Sequence, residues 1–260
     1  MKFRFFTAFI LAGMLASAAT HAGTLTEIRF GVDMTNPPFQ MKGTDGQPQG
    51  FDVEVTQAVC AAAHVRCVWV ENSFDGMIPA LRARKFDAIA VLGVTPARRA
   101  AIDFSDYVYH VPTRLVARSG SGLLPTAASL AGKRVGVQQG TIQEAYARAH
   151  WANAGVNVVP YADQNQIYSD LATGRLDAAF AMSVAMQRGF LSTPQGKGFD
   201  FVGSYVDDEK IFSRGTAYGI RQGDKDLKTV LDAAIAQVNR DGTFDRLQRK
   251  YFGDIDLHVK

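Results

Sequence analysis

Short apolar stretches and stretches of helical period alternate along most of this chain. Arg29-Phe30-Gly31-Val32-Asp33 reads as a strand running into a loop. Asp52 is placed to cap a helix over roughly 53–62, with Val55, Val59 and Ala62 on one face. Val68-Trp69-Val70 reads as a strand, and another helix begins within Asp75-Gly76-Met77-Ile78-Pro79-Ala80-Leu81. Further on, Thr141-Ile142-Gln143-Glu144 has capping-box spacing before a helix predicted to reach about Trp151. Val156-Asn157-Val158-Val159 is a strand, 166–172 is helical, and 227–239 is predicted as a final amphipathic helix. Strands alternating with helices imply an α/β fold of open, mostly parallel sheets covered by helices.

The chain also repeats itself. Arg29-Phe30-Gly31-Val32-Asp33 recurs as Arg134-Val135-Gly136-Val137-Gln138. Leu81 through Ile89, a helix end followed by a basic turn and an apolar strand, recurs as Leu171 through Ala179. The spacing is far longer than a solenoid repeat, so two related α/β lobes are predicted. Open sheets bind ligands beyond the carboxyl ends of their strands, which directs attention to the loops after Val32 and Val137. The helix opening at Thr141 would offer free N–H groups and a positive dipole end to a carboxylate, unless the cap merely ends a helix.

The first residues differ from the rest. Lys2 and Arg4 precede an apolar run from Phe5 to Ala19, and Thr20-His21-Ala22 offers small residues at a cleavage site. The run falls short of the roughly 18–20 residues a membrane span needs, so residues 1–22 are predicted to be a cleaved signal peptide and the protein periplasmic. Its removal leaves 238 residues and lowers the net charge from +3 to +1. With 47% hydrophobic and 20% charged residues the chain is predicted to be globular. It carries no basic run, so no nucleic-acid partner is predicted.

The two cysteines are Cys60 and Cys67. Export permits a disulfide between them, the alternative being two buried thiols. In a continuous helix they would stand about 10.5 Å apart along the axis, so a bridge requires the helix to end between them, at His64-Val65-Arg66. No His-x-x-x-His, Cys-x-x-Cys or acidic calcium loop occurs, and neither metal nor cofactor is predicted.

Asn36-Pro37-Pro38-Phe39, Gly50-Phe51-Asp52-Val53, the segment Phe74 through Leu81, and Asp103-Phe104-Ser105 with Tyr107 resemble the first lobe of the periplasmic solute-binding proteins of polar amino-acid ABC importers. Lys133 through Thr141 and Tyr168 through Ala179 resemble the second lobe, and Asp241-Gly242-Thr243-Phe244 with Lys250-Tyr251-Phe252 resembles the C-terminal end. The similarity is to the lysine/arginine/ornithine and histidine binders, which also carry a cysteine pair at these positions. The resemblance implies a type II periplasmic binding fold. Lobe I would comprise 23–109 and 216–260, lobe II 114–206, and the hinge 110–113 and 207–215. A small-molecule ligand, an amino acid or related carboxylate, would lie between the lobes. The partner would be an inner-membrane permease, and the protein a monomer.

The same resemblance implies a ligand set of Asp33, Asn36, Phe74, Val91, Gly93, Arg98, Gln138, Thr141, Ile142, Gln143 and Met182. Arg98 matches the arginine that holds a ligand carboxylate through two parallel bonds, although Arg99 beside it would also suit a solvated surface pair. Asp33 matches an acid for a cationic side chain. Phe74 matches an aromatic lid, its alternative being a core phenylalanine. Other positions depart. Asn36 replaces a tyrosine, and Ala90-Val91-Leu92-Gly93 replaces a serine-rich segment with one residue fewer. Ile142 replaces a threonine. Met182 stands where the family has the aspartate for the ligand's α-ammonium, with Gln138 and Gln143 left as neutral polar groups. A buried ammonium without a counter-charge costs several kcal/mol to desolvate. The expected ligand is therefore a modified amino acid, an amide, or a carboxylate without a free α-amine.

Two alternatives share the fold. A cyclohexadienyl dehydratase-like enzyme would need an acid–base pair, but the matched acidic position is Met182, Asp33 stands by itself, and His64, His110, His150 and His258 form no recognisable cluster. A ligand-loaded partner of a membrane sensor would use the same closed clamp.

Overall fold

The computed structural model describes residues 25–259 apart from 207, 209, 210 and 213; the signal peptide predicted at 1–22 lies outside the described residues. The chain begins with β1 (Glu27–Val32), a small sheet of β2 (Thr35–Asn36), β3 (Gln40–Lys42) and β4 (Pro48–Gln49), α1 (Phe51–Ala62) and β5 (Arg66–Glu71). Then come α2 (Met77–Arg82), β6 (Ala88–Gly93), α3 (Pro96–Arg99) and β7 (Asp103–Tyr109). The second half runs through β8 (Thr113–Arg118), α4 (Ala127–Leu130), β9 (Arg134–Gln138), α5 (Ile142–His150), β10 (Asn157–Tyr161), α6 (Gln164–Ala172), β11 (Ala178–Met182), α7 (Ser183–Met186) and β12 (Phe199–Val206). It closes with β13 (Thr216–Ile220), α8 (Lys225–Arg240) and α9 (Thr243–Phe252).

Two five-stranded sheets organise these elements, in the orders β5-β1-β6-β13-β7 and β10-β9-β11-β8-β12. In each sheet one strand runs against the other four: β13 in the first, β8 in the second. The reason is geometric. The chain crosses from β7 into β8 and returns from β12 into β13. A strand that has just crossed runs away from the gap, whereas its neighbours run toward it. The prediction of mostly parallel sheets therefore holds in both lobes, with the crossing strand as the exception.

The repeated motifs occupy equivalent places. At the start of β1, the Arg29 side chain bonds Asp87 through Nε and Nη2, both at 2.9 Å, and its Nη2 reaches the Arg84 carbonyl. At the start of β9, Arg134 grips Asp177 through Nε and Nη2, and its Nη2 reaches the Gly174 carbonyl. Each clip ties a first strand to the turn before a third. The strand glycines match as well: a Cβ on Gly31 would lie 2.5 Å from the Phe86 ring, and one on Gly136 would lie 2.4 Å from Leu176. Both glycines let the residue before the aspartate seal the core.

Two sequence-based expectations need correction. Asp52 does not cap α1. The cap position is Gly50, whose φ of 121° and close approach to the Phe39 carbonyl exclude a side chain there. Asp52 falls inside the first turn and is buried. The helix at 225–240 is not the last, because α9 follows and buries Phe244 and Phe252 in the lobe I core. Its apolar positions Phe244, Leu247, Tyr251 and Phe252 keep helical spacing. Elsewhere, α6 starts two residues earlier than predicted because Asp163 caps it. Cys60 and Cys67 are bridged, with Cα atoms 5.9 Å apart. Helix α1 ends at Ala62, and His64 at φ 56° turns the chain back. Among the described residues no helix is long and apolar enough to cross a membrane, and no three His, Cys, Asp or Glu side chains are grouped to hold a metal ion.

Candidate functional site

A cavity of about 920 Å³ lies between the sheets, at the carboxyl ends of β1, β6, β9 and β11. All the positions singled out from the sequence line it: Asp33, Asn36, Phe74, Val91, Gly93 and Arg98 from lobe I, and Gln138, Thr141, Ile142, Gln143 and Met182 from lobe II.

Arg98 is presented by a very short helix. Thr95 caps α3 by accepting the Arg98 N–H at 3.1 Å, and Pro96 occupies the first helical position. This turns the guanidinium back over the end of β6. Nη1 donates to the Gly93 carbonyl at 2.7 Å, and Nη2 donates across the gap to the Gly140 carbonyl at 2.9 Å. The Phe74 ring lies 5.5 Å from the guanidinium carbon. Burial lowers the Arg98 pKa to about 10, and no acid among the described residues opposes that shift. Arg98 is thus a part-buried cation whose partners among the described residues are neutral, unlike the solvated surface charge its neighbour Arg99 suggested. Phe74 also packs on the apolar cluster beneath α2, so its core and cavity roles coexist.

The acidic groups form one connected unit. Asp33, 5% exposed, accepts from Thr35 Oγ1 at 2.9 Å and, across the gap, from Gln138 Nε2 at 2.6 Å. Gln40 holds the unit together: its Oε1 accepts the Asp33 N–H, and its Nε2 donates to Asp52 at 2.8 Å and to the Ala90 carbonyl at 2.7 Å. Asp52 accepts a second bond from the Tyr109 hydroxyl at 2.7 Å. Burial pushes the Asp33 pKa up against the hydrogen bonds that lower it, and lifts Asp52 to about 7. Neither acid has a cationic partner among the described residues.

The lobe II wall is less charged. Thr141 caps α5, accepting from the Glu144 N–H at 3.1 Å and donating to the Gln138 carbonyl at 2.6 Å. Glu144 folds back to the Gly140 N–H at 2.7 Å, one residue before the cap position that capping-box spacing predicts. Gln143 is drawn into its own lobe by a 2.8 Å bond to Thr113 Oγ1. Met182 packs against the apolar cluster that contains Val91, Tyr109 and Val184. Val91 has φ 58°, an outlier for a β-branched residue. Between Ile89↔Gly219 and Leu92↔Ala217, β6 has two residues where β13 has one, so Val91 sits in a bulge that aims the Ala90 carbonyl at Gln40.

Residues missed from the sequence also line the cavity: Gln40, Asp52 and Tyr109 beneath it, and His110, Tyr205, Phe212, Asp256 and His258 near the crossings. Asp52 lies in a motif whose local pattern is that of a helix cap. Gln40 and the tail residues gave no signal, because only the folded chain brings them together.

A chain of this architecture has clear relatives. Residues 28–254 match the model of the bacterial extracellular solute-binding proteins, family 3. The lysine/arginine/ornithine-binding periplasmic protein of Escherichia coli K12 is 44% identical over 244 residues, covering 94% of each chain. The histidine-binding periplasmic protein of Salmonella typhimurium is 44% identical over 250 residues, covering 96% of this chain and 95% of that one. Among solved structures, an ancestral arginine-binding protein bound to arginine superposes with TM-score 0.81 at 27% identity, covering 89% of this chain and 100% of that one. Matched along nearly all of its described length and built as two α/β lobes around one cavity, the chain belongs to the bacterial extracellular solute-binding proteins of family 3.

Proposed function

We propose that this protein is the periplasmic receptor of an ABC importer, a monomer that captures an amino acid or related carboxylate between its lobes and delivers it to a membrane permease. The observation that carries this is Arg98, a part-buried guanidinium that bridges both lobes and meets no acid among the described residues. A solute carboxylate there would supply the missing charge and join the lobes through the same side chain. The segments 110–113 and 207–215 act as the hinge, with the second only partly within the described residues.

The cleft is assigned no catalysis. Asp52, the acid lifted to about 7, has one oxygen taken by Gln40 and the other by Tyr109. Prephenate and arogenate are expected to remain unchanged when incubated with the protein and followed by absorbance. The binding role is tested by thermal-shift screening of carboxylate solutes with wild type and Arg98→Met. A solute that stabilises the wild type should bind the variant about 3 kcal/mol more weakly, roughly a hundredfold in Kd. Equal stabilisation of both proteins would refute the assignment.

A further inference from the structure

The charges around the cavity are unequal in kind and place. Arg98 touches two carbonyls and a ring face. The cavity wall shared by the two lobes is apolar at Val91, Ile142 and Met182. The acids Asp33 and Asp52 are beyond ion-pair reach of Arg98, and Gln40 ties them into a single unit. Asp256, the third acid in the lining, lies on the tail after α9 and contacts His258 at 2.8 Å. Arg214 also lines the cavity but is exposed, so the part-buried anion seat is Arg98, with an acidic seat apart from it. A free basic amino acid brings one anion and two cations. With its carboxylate on Arg98, its α-ammonium would lie one carbon away, and no acid among the described residues is within ion-pair reach of Arg98.

We propose that this cleft selects carboxylates that carry one remote cation and no free ammonium beside the carboxylate: deaminated or Nα-acylated ω-guanidino and ω-amino acids. The carboxylate pairs with Arg98, the apolar stem runs past Val91 and Met182, and the remote cation reaches Asp33. Amides are excluded, because they leave Arg98 without an anion. The proposal rests on the solute-binding assignment above and narrows it.

The test is calorimetric titration of the mature protein with 4-guanidinobutanoate, Nα-acetyl-L-arginine, L-arginine and L-argininamide. At least one of the first two should bind ten or more times more tightly than L-arginine, with no heat from L-argininamide. Met182→Asp should reverse the order by raising L-arginine affinity at least tenfold. L-Arginine binding as tightly as both analogues, or silence from all four probes, overturns the proposal. Because the wild-type series decides the matter alone, a Met182→Asp protein that fails to fold does not rescue it. The broader assignment is judged separately, by whether any carboxylate solute depends on Arg98.

Discussion

At the scale of single residues, the buried acid Asp52 has a consequence that can be measured. Its carboxyl titrates near 7 in the folded protein because burial disfavours the charged form, against about 4 in an unfolded chain. The folded state therefore holds the proton more tightly. The stabilisation is full below about pH 4 and is lost as pH rises toward 7. Asp52→Asn removes that slope. Between pH 5 and pH 8 wild type should lose about 2 kcal/mol relative to the variant, read from urea unfolding at each pH. Parallel curves for the two proteins would contradict this origin. The residue also shows what local pattern conceals. An aspartate ahead of an apolar helical stretch is an ordinary cap signal, but the Phe39 carbonyl leaves room only for Gly50 at the cap and pushes Asp52 into the core. Arg98 and Asp33 were legible because their motifs surround them; Gln40, which connects the acids, was not.

At the scale of elements, the two lobes solve the same problem with different residues. Helix α2 ends with Arg84 in the left-handed region at φ 60°, and α6 ends with Gly174 at φ 76° in the equivalent turn. An arginine pays a steric cost there that glycine does not. The Arg84 side chain is exposed, and the turn uses only its backbone, through Arg84 N–H to Leu81 and the carbonyl to Arg29. Arg84→Gly should therefore stabilise the protein by about 1 kcal/mol, seen as a higher Tm. An unchanged or lower Tm would show that the turn carries no such strain. The repeat that places these turns was visible in the sequence as paired Arg-x-Gly strands and as the segments Leu81 through Ile89 and Leu171 through Ala179. Their shared function, an arginine clipping an aspartate across a strand pair, needed coordinates. Helix α9 was missed because Asp241-Gly242 reads as a helix stop, although Phe244, Leu247, Tyr251 and Phe252 keep helical spacing beyond it.

At the scale of the whole molecule, the lobes meet at a small number of points. Gln138 bonds Asp33, Gln139 bonds Asp75 at 3.1 Å, Arg98 bonds Gly140, and Asn165 reaches the Thr35 carbonyl at 3.3 Å. At Gly140 the backbones come so close that an added Cβ would lie 2.9 Å from the Asp75 Cα. Gly140→Ala should hold the lobes apart, weakening solute binding at least tenfold through faster dissociation. Small-angle scattering in saturating solute should show a larger radius of gyration than for wild type; identical profiles and affinities would count against closure at this contact. The internal repeat pointed to two lobes, and the family resemblance pointed to eleven of the residues that line the cavity. They could not reveal the contacts across the gap, which join residues far apart in the chain.

Solute capture depends on Arg98 holding the solute by its negative group. Native mass spectrometry of freshly purified protein tests this most directly. Wild type should carry the added mass of a small carboxylate, and Arg98→Met, folded with an unchanged circular dichroism spectrum, should not. A wild type without added mass, or the same mass on both proteins, would contradict it.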